Sequence, residues 1–242
     1  MNLAEYQTMY EHEQRHFWFR GTRAVVFDQV RDLLAQPLNV ADVGCGTGGT
    51  MSQMPSAWSV IGVDFSHDAL VFSKSRGHAA LARASGEAVP LKSGSFDLAF
   101  ALDVIEHCRD DAAVASELFR ILRPGGRLVT TVPAYQALFG PHDVALQHHR
   151  RYRRSVFGRL LSSAGFEVRK LTYFNTVLFP PSAAVRLAQR LAPAPAQSES
   201  NLSVPMGPLN ALFTKLFDAE RLALRGVSFP FGLSILAVSR KP

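Results

Sequence analysis

The chain has 242 residues, 47% of them hydrophobic, and its 26 Lys+Arg against 20 Asp+Glu leave a formal net charge of +6. That length fits one large domain or a domain with an elaboration, and so apolar a composition excludes wholesale disorder. No apolar run reaches the roughly 18 residues of a membrane-spanning helix, and Cys45 and Cys108 form no C-x-x-C pair, so neither a membrane protein nor a disulfide framework is expected.

The polar, mixed-charge start MNLAEYQTMYEHEQRH is unlike a secretory signal, and the cytoplasm is the expected compartment. Residues 2 to about 14 read as a short helix with Asn2 as its cap. The cluster HFWFRG follows, in which Phe17, Trp18, Phe19 and Arg20 are closed by Gly21. Thr22 then caps a helix with Val26, Val30, Leu33 and Leu34 on one face, which Pro37 ends. From there short strands and helices alternate. The pattern predicts strands over 40–44, 59–64, 78–83 (weak), 96–102, 127–132 and 166–174. Between them it predicts a helix start at 48–54, a helix capped by Ser66 to about Ser75, one over 111–122 before the turn RPGG, and one capped by Ser155 and stopped by Gly165. LSILAVS, 233–239, is the last strand. The alternation implies βαβ units and a mostly parallel sheet with helices on both faces.

The segment between the last two strands is unusually long. It holds FPP, a helix near 183–191, the linker APAPAQSESNLSVPMGP and a second helix. In that helix Leu209, Leu212, Phe213, Leu216 and Phe217 form one apolar face. The expected partition is N-terminal helices and flap over 1–36, a core over 37–174, a helical insertion over 175–232 and the last strand over 233–242.

Within VADVGCGTGG, Gly44, Gly46, Gly48 and Gly49 crowd a turn just after a strand. Glycines there let the backbone bend sharply and let a ligand touch it. A strand, a glycine turn and a helix N-terminus together make a nucleotide cradle with exposed backbone N–H groups. Asp64, twenty positions after Gly44, ends the next strand and can accept both hydroxyls of a ribose. An adenosine-like ligand follows from that register. The bland alternative is a tight packing turn with Asp64 capping the next helix.

DVGCGTGG resembles the first motif of class I S-adenosylmethionine-dependent methyltransferases, GVDFS their second, GEAVPLKSGSFDLAFALDVIEH the region beside the adenine and the fourth strand, and LRPGGRLVTTVP the loop and strand after it. The resemblance covers about 40–133 and is closest to small-molecule enzymes of the ubiquinone and menaquinone type. It implies a Rossmann-like seven-stranded sheet, mostly parallel, with the last strand antiparallel between the fifth and sixth, and S-adenosylmethionine as cofactor. Carried over by position, Asp42, Gly44, Cys45 and Gly46 face the methionine part and Asp64 the ribose. Phe65, Gly86 and Glu87 lie near the adenine, and Asp103 and Val104 line the end of the fourth strand. Ser85 stands where the family often has an acid reading the adenine amino group.

Methyl transfer from a sulfonium needs position and a desolvated pocket, and a base only where the acceptor is protonated. Candidates for that role are His107, in IEH at the carboxyl end of the sheet, and His148, His149 and Tyr152 in the cluster after the fifth strand. His107 reads equally as a structural histidine held by Glu106 or the backbone. The spacing from His142 and Asp143 to His148 and His149 has a metal-site look, but the surrounding arginines and the lack of a cysteine argue for no metal. Arg150 and Arg151 suit an anionic acceptor, so HHRRY reads as an acceptor-side lid, with a solvated basic turn as the alternative. The Phe17–Phe19 cluster is either core packing or a flap over the cofactor in which Arg20 pairs the methionine carboxylate. The Leu209–Phe217 face is a packed cap, with a peripheral membrane contact or a homodimer face as alternatives.

A small-molecule acceptor and no nucleic acid are the expected partners, since no N/D-P-P-Y/F/W motif follows the fourth strand. The rival classes are a nicotinamide-dependent oxidoreductase, which shares the glycines and Asp64 but lacks a Tyr-x-x-x-Lys, and a non-catalytic cofactor-binding accessory protein.

Overall fold

A computed structural model describes residues 3–191 and 207–242. Seven strands form one sheet: β1 (Leu38–Val43), β2 (Trp58–Asp64), β3 (Leu81–Arg83), β4 (Phe96–Leu102), β5 (Leu122–Pro133), β6 (Glu167–Phe174) and β7 (Ser234–Arg240). Their order is β3-β2-β1-β4-β5-β7-β6. The pairs among β1 to β5 are parallel, and β7 lies antiparallel between β5 and β6, Val129 opposite Val238 and Leu171 opposite Ala237. The expected seven strands and antiparallel last strand are therefore present. The central strands are near-continuous runs of Val, Ala, Leu and Phe because helices cover both faces.

The helices are α1 (Leu3–His12), α2 (Phe17–Asp28), α3 (His67–Ser75), α4 (Asp111–Ile121), α5 (Pro141–Ala145), α6 (Arg154–Ser163), α7 (Phe179–Leu191) and α8 (Gly207–Ala223). On one face Val114, Leu118 and Ile121 of α4 and Phe157 and Leu161 of α6 are buried against β4, β5 and β7. On the other, Phe17, Val25 and Val26 of α2 and Phe217 of α8 cover β1, β4 and β5. Among the described residues no helix is long and apolar enough to cross a membrane.

Several sequence expectations are corrected. Helix α2 starts at Phe17 and is capped by the His16 ring, which accepts from Trp18 N, so Thr22 is a buried mid-helix residue and not a cap. The reason is tertiary: Phe17 and Trp18 pack on Phe213 and Phe217 of α8, and a Cβ at Gly21 would collide with the Phe217 ring. Phe17 and Trp18 of the aromatic cluster are thus core packing, while Phe19 meets the His16 ring. The helix expected to start at 48–54 is a single 3₁₀ turn, Met51–Gln53, because Gly48 sits at φ +83° and Pro55 follows at once. Helix α6 begins at Arg154 with no side-chain cap, so Ser155 lies inside it. Strand β5 starts before the RPGG turn, Leu122 pairing Phe96, with a register shift that returns at Arg127. Helix α7 opens earlier than expected, with both prolines of FPP in its first turn, where a missing N–H costs nothing. Asn2 and the linker over 192–206 lie outside the described residues.

The insertion is tied down from one side. Asp28, at the end of α2, takes Arg221 of α8 and Arg225 just after it, and Glu220 Oε1 accepts from Thr176 N and Oγ1 at 3.0 and 2.9 Å. Phe217 is buried and Phe213 packs beside it, whereas Leu209 and Leu212 on the same predicted face stay exposed.

Candidate active site

The glycine turn leaves β1 at the carboxyl end of the sheet, where ligands bind in open α/β folds. Its backbone is closed on the neighbouring strand. Gly44 N and Cys45 N both donate to Val63 O, at 2.7 and 3.0 Å, Gly46 N donates to Asp64 Oδ2 at 2.8 Å, and Gly48 N to Cys45 O at 3.0 Å. Four amides of the expected cradle are thus already bonded, and in place of the expected helix N-terminus stands a 3₁₀ turn. Gly44 has φ +78°, and a Cβ there would collide with Val104 Cγ2, so only glycine fits.

Around the turn the predicted residues come together as follows. Asp64 also accepts from Ser66 N at 2.8 Å, which fixes its carboxylate and leaves lone pairs open. Phe65 beside it is 73% exposed, a bare ring next to the polar pocket. Asp42 is buried with Oδ2 unpartnered. Burial, with Asp64 close by, pushes its carboxyl up to about 7. Burial likewise raises the Cys45 thiol, which favours its protonated form. Asp103 is held at φ +52° with its N–H on Thr131 O, and burial raises its carboxyl. Glu87 is engaged at the start of α4, where its Oε1 accepts from Asp110 N at 2.9 Å. Gly86 packs near Cys108 and Val114. Arg20 is exposed on α2.

The sequence reading missed the roof of this site. Helix α1 lies over the glycine turn: the Met9 methyl approaches Gly46, and Glu13 fills the space beside Gly49. Buried Glu13 bonds the Thr47 hydroxyl and pairs with Arg76 at 2.8 Å, Arg76 Nε donates to Thr47 O at 2.9 Å, and Arg23 donates to Glu13 O. The arginine of α2 that reaches the turn is Arg23, through Glu13.

On the acceptor side, His107, His148 and Glu106 meet. The two imidazole rings are 4.6 Å apart and nearly perpendicular, and His148 Nε2 lies 4.0 Å from Glu106 Oε1. Burial, reinforced by His148, pushes His107 down to about 3, so it is a neutral imidazole. His148 Nδ1 is 2.8 Å from Asp143 Oδ1, which Arg151 Nε also reaches at 2.7 Å. Burial opposes the charge on Asp143, yet these bonds hold its carboxyl well below the usual range. Of HHRRY, His149, Arg150 and Tyr152 face elsewhere. His149 is exposed, with its N–H on Glu106 O. The Tyr152 ring is buried against Phe157 and its hydroxyl donates to Asp111 at 2.8 Å. Arg150 also pairs with Asp111, at 2.9 Å. Glu106 does not hold His107, since neither of its oxygens has a hydrogen-bond partner.

Two further features border this cluster. Arg186 of α7 reaches Gly140 and senses the charges of Arg151 and Asp143. Tyr135, at φ +60° after β5, stacks on Tyr173 at 5.0 Å and meets Phe179, which meets Phe231. A cavity of about 250 Å³ lined by Met51, Trp58 and His78 lies at the amino end of β2, away from this chemistry.

Residues 41–130 match a family described as a methyltransferase domain. A "Probable S-adenosylmethionine-dependent methyltransferase" of Mycolicibacterium smegmatis is 32% identical over 164 residues, 64% of this chain and 61% of that protein. A demethylmenaquinone methyltransferase of Lactococcus lactis is 31% identical over 144 residues, 52% of this chain and 54% of that one. The chain thus spans less than two thirds of these relatives. Among solved structures, phosphoethanolamine N-methyltransferase 2 of Haemonchus contortus, in complex with S-adenosyl-L-methionine, superposes with a TM-score of 0.57 at 18% identity, covering 89% of this chain and 52% of that one.

Proposed function

The chain carries a class I S-adenosylmethionine-dependent methyltransferase core, and from that premise we propose that it methylates a small-molecule acceptor held beside Glu106, His107 and His148. The observation that carries the reading is the closed glycine turn. With the amides of Gly44, Cys45, Gly46 and Gly48 already bonded and only a 3₁₀ turn behind them, it is a poor anion cradle for a pyrophosphate. A nucleoside without phosphates needs none, which disfavours a nicotinamide dinucleotide.

The residues fit the cofactor. Asp42 Oδ2 is a buried acceptor awaiting a donor, the Gly44 cradle would be filled by any Cβ, and Asp64 is pre-oriented by two backbone N–H groups. Asp42 and the turn would face the methionine part, Asp64 the ribose, and Phe65 the adenine. When bound, S-adenosylmethionine supplies a methyl group already activated on a sulfonium. The chain's own part is to hold and to exclude water: α1 roofs the turn, and the Glu13–Thr47–Arg76 network locks that roof. On the acceptor side, Asp143 fixes the His148 ring, which can take or orient an acceptor proton, and the neutral His107 imidazole can orient it. The aromatic wall of Tyr135, Tyr173, Phe179 and Phe231, with Arg186 near its rim, supports a partly hydrophobic, anionic acceptor. Exposed Val177, Val185, Leu209, Leu212 and Phe231 in the insertion support its peripheral contact with a membrane surface, from which such an acceptor would be drawn.

A pH profile tests the placement of Asp42. Its free-state pKa near 7 means that it holds a proton at lower pH. A ligand bringing a cationic amine to Asp42 favours the ionised form, so binding below that pKa releases a proton. Affinity for S-adenosylhomocysteine should therefore rise with pH by up to about tenfold per unit, then level off above about 7. Asp42→Asn should flatten the profile. Calorimetry across the range checks this, and a flat wild-type profile contradicts it.

A further inference from the structure

We propose that Glu106, His107 and His148 form a binding site for one divalent first-row transition-metal ion. One donor atom from each residue lies within 4.8 Å of the others. Zinc takes nitrogen and oxygen donors at about 2.0–2.2 Å, which sets a tetrahedral pair about 3.4 Å apart, so the donor pairs close by at most about 1.4 Å around an ion. Both Glu106 oxygens are buried without a hydrogen-bond partner. A carboxylate so placed is costly to leave alone, and an ion satisfies it.

The surroundings have the form of a prepared site. His148 Nδ1 is bonded to Asp143, which leaves Nε2 as the free donor, and Asp143 is fully buried and held by Arg151 Nε and Gly140 N at 2.7 and 2.9 Å. A carboxylate behind a ligating histidine sets its tautomer and ring direction. The backbone is pinned as well: His148 N donates to Asp143 O, and His149 N to Glu106 O, both at 2.8 Å. The two halves of the site, after β4 and after β5, are therefore joined before any ion arrives. Asp103, Asp143 and Arg151 stand around Glu106, and burial raises its carboxyl, so an ion arriving there takes the place of a proton.

Two imidazoles and one carboxylate suit zinc, cobalt or iron(II) and do not suit magnesium or calcium, which prefer oxygen donors. Three protein ligands leave positions open for a further donor. Resting on the methyltransferase reading, this makes an acceptor with an oxygen donor beside the ion the preferred substrate class.

The test is calorimetric titration of Zn²⁺ and Co²⁺ into chelator-stripped protein, with the Co²⁺ visible spectrum as a second readout. One equivalent should bind, and magnesium should not compete. Glu106→Gln should weaken binding by more than a hundredfold, and Asp143→Asn, which keeps all three ligands, by about 10–100-fold. Thermal melting confirms that each variant is folded, and Asp143→Asn carries the test if Glu106→Gln is not. No stoichiometric binding to wild type, or equal binding in wild type and a folded variant, overturns the proposal. S-adenosylhomocysteine titrated into the same stripped protein separates the two ideas. Cofactor bound without an ion removes this inference alone, whereas an ion bound without cofactor removes the methyltransferase reading alone.

Discussion

Asp64→Ala should weaken S-adenosylmethionine binding by more than a hundredfold. A carboxylate that accepts two ribose hydroxyls makes two charge-assisted bonds, each worth about 1.5 kcal/mol or more, so about 3 kcal/mol is lost. The structure adds a reason for a large effect. Asp64 holds Gly46 N and Ser66 N, so its removal also frees the glycine turn that the ligand must meet. Asp64→Asn, which keeps an acceptor for one N–H, should fall between the two. Calorimetry with the demethylated product checks both variants against melting curves. An unchanged affinity in Asp64→Ala would mean that the ligand lies elsewhere.

On the acceptor side, His148→Ala should cut turnover by at least about a hundredfold, the lower end of what a positioned proton-handling group contributes. Cofactor affinity should stay within a factor of about two, because His148 faces Glu106 and His107. The other members of HHRRY should behave differently. Tyr152→Phe removes a hydroxyl that serves Asp111, so it should lower stability by about 1 kcal/mol and leave turnover near normal. Arg150→Ala breaks a pair with the same Asp111 and should likewise spare turnover. Labelled methyl transfer into a small-molecule extract, with cofactor binding measured separately, reads both quantities. Equal turnover in His148→Ala and wild type would move the acceptor away from this cluster.

The contrast between His148 and Tyr152 shows where the sequence stops being legible. Spacing placed both after the fifth strand, but not which side of the chain each would face. That depended on the isolated bridge between Ala134 and Tyr152, which turns the tyrosine inward. The strands around the glycine turn were readable because apolar runs, glycines and Asp64 are local signals in a fixed order. The helix after the turn misled: glycines that look like a nucleotide loop also break the helix they should start, and Gly48 at positive φ does so. Glu13 carried no signal, since its partners Thr47 and Arg76 lie 34 and 63 residues away. Thr22 looked like a cap because the packing that starts α2 earlier, Phe17 and Trp18 on Phe213 and Phe217, is a contact with a helix nearly two hundred residues later. Glu106 read as a support for His107; only the fold shows it buried, unpartnered and facing His148.

The central claim is that the pocket beside Asp42 and Asp64 takes S-adenosylmethionine and not a dinucleotide. The most direct measurement is parallel calorimetric titration of the wild-type protein with S-adenosylhomocysteine and with NAD at one pH near 8. One site with micromolar-range affinity is expected for the first and binding at least about a hundredfold weaker for the second, because four amides of the turn are already bonded and no helix N-terminus stands behind it. Tight NAD binding with no response to S-adenosylhomocysteine would contradict it.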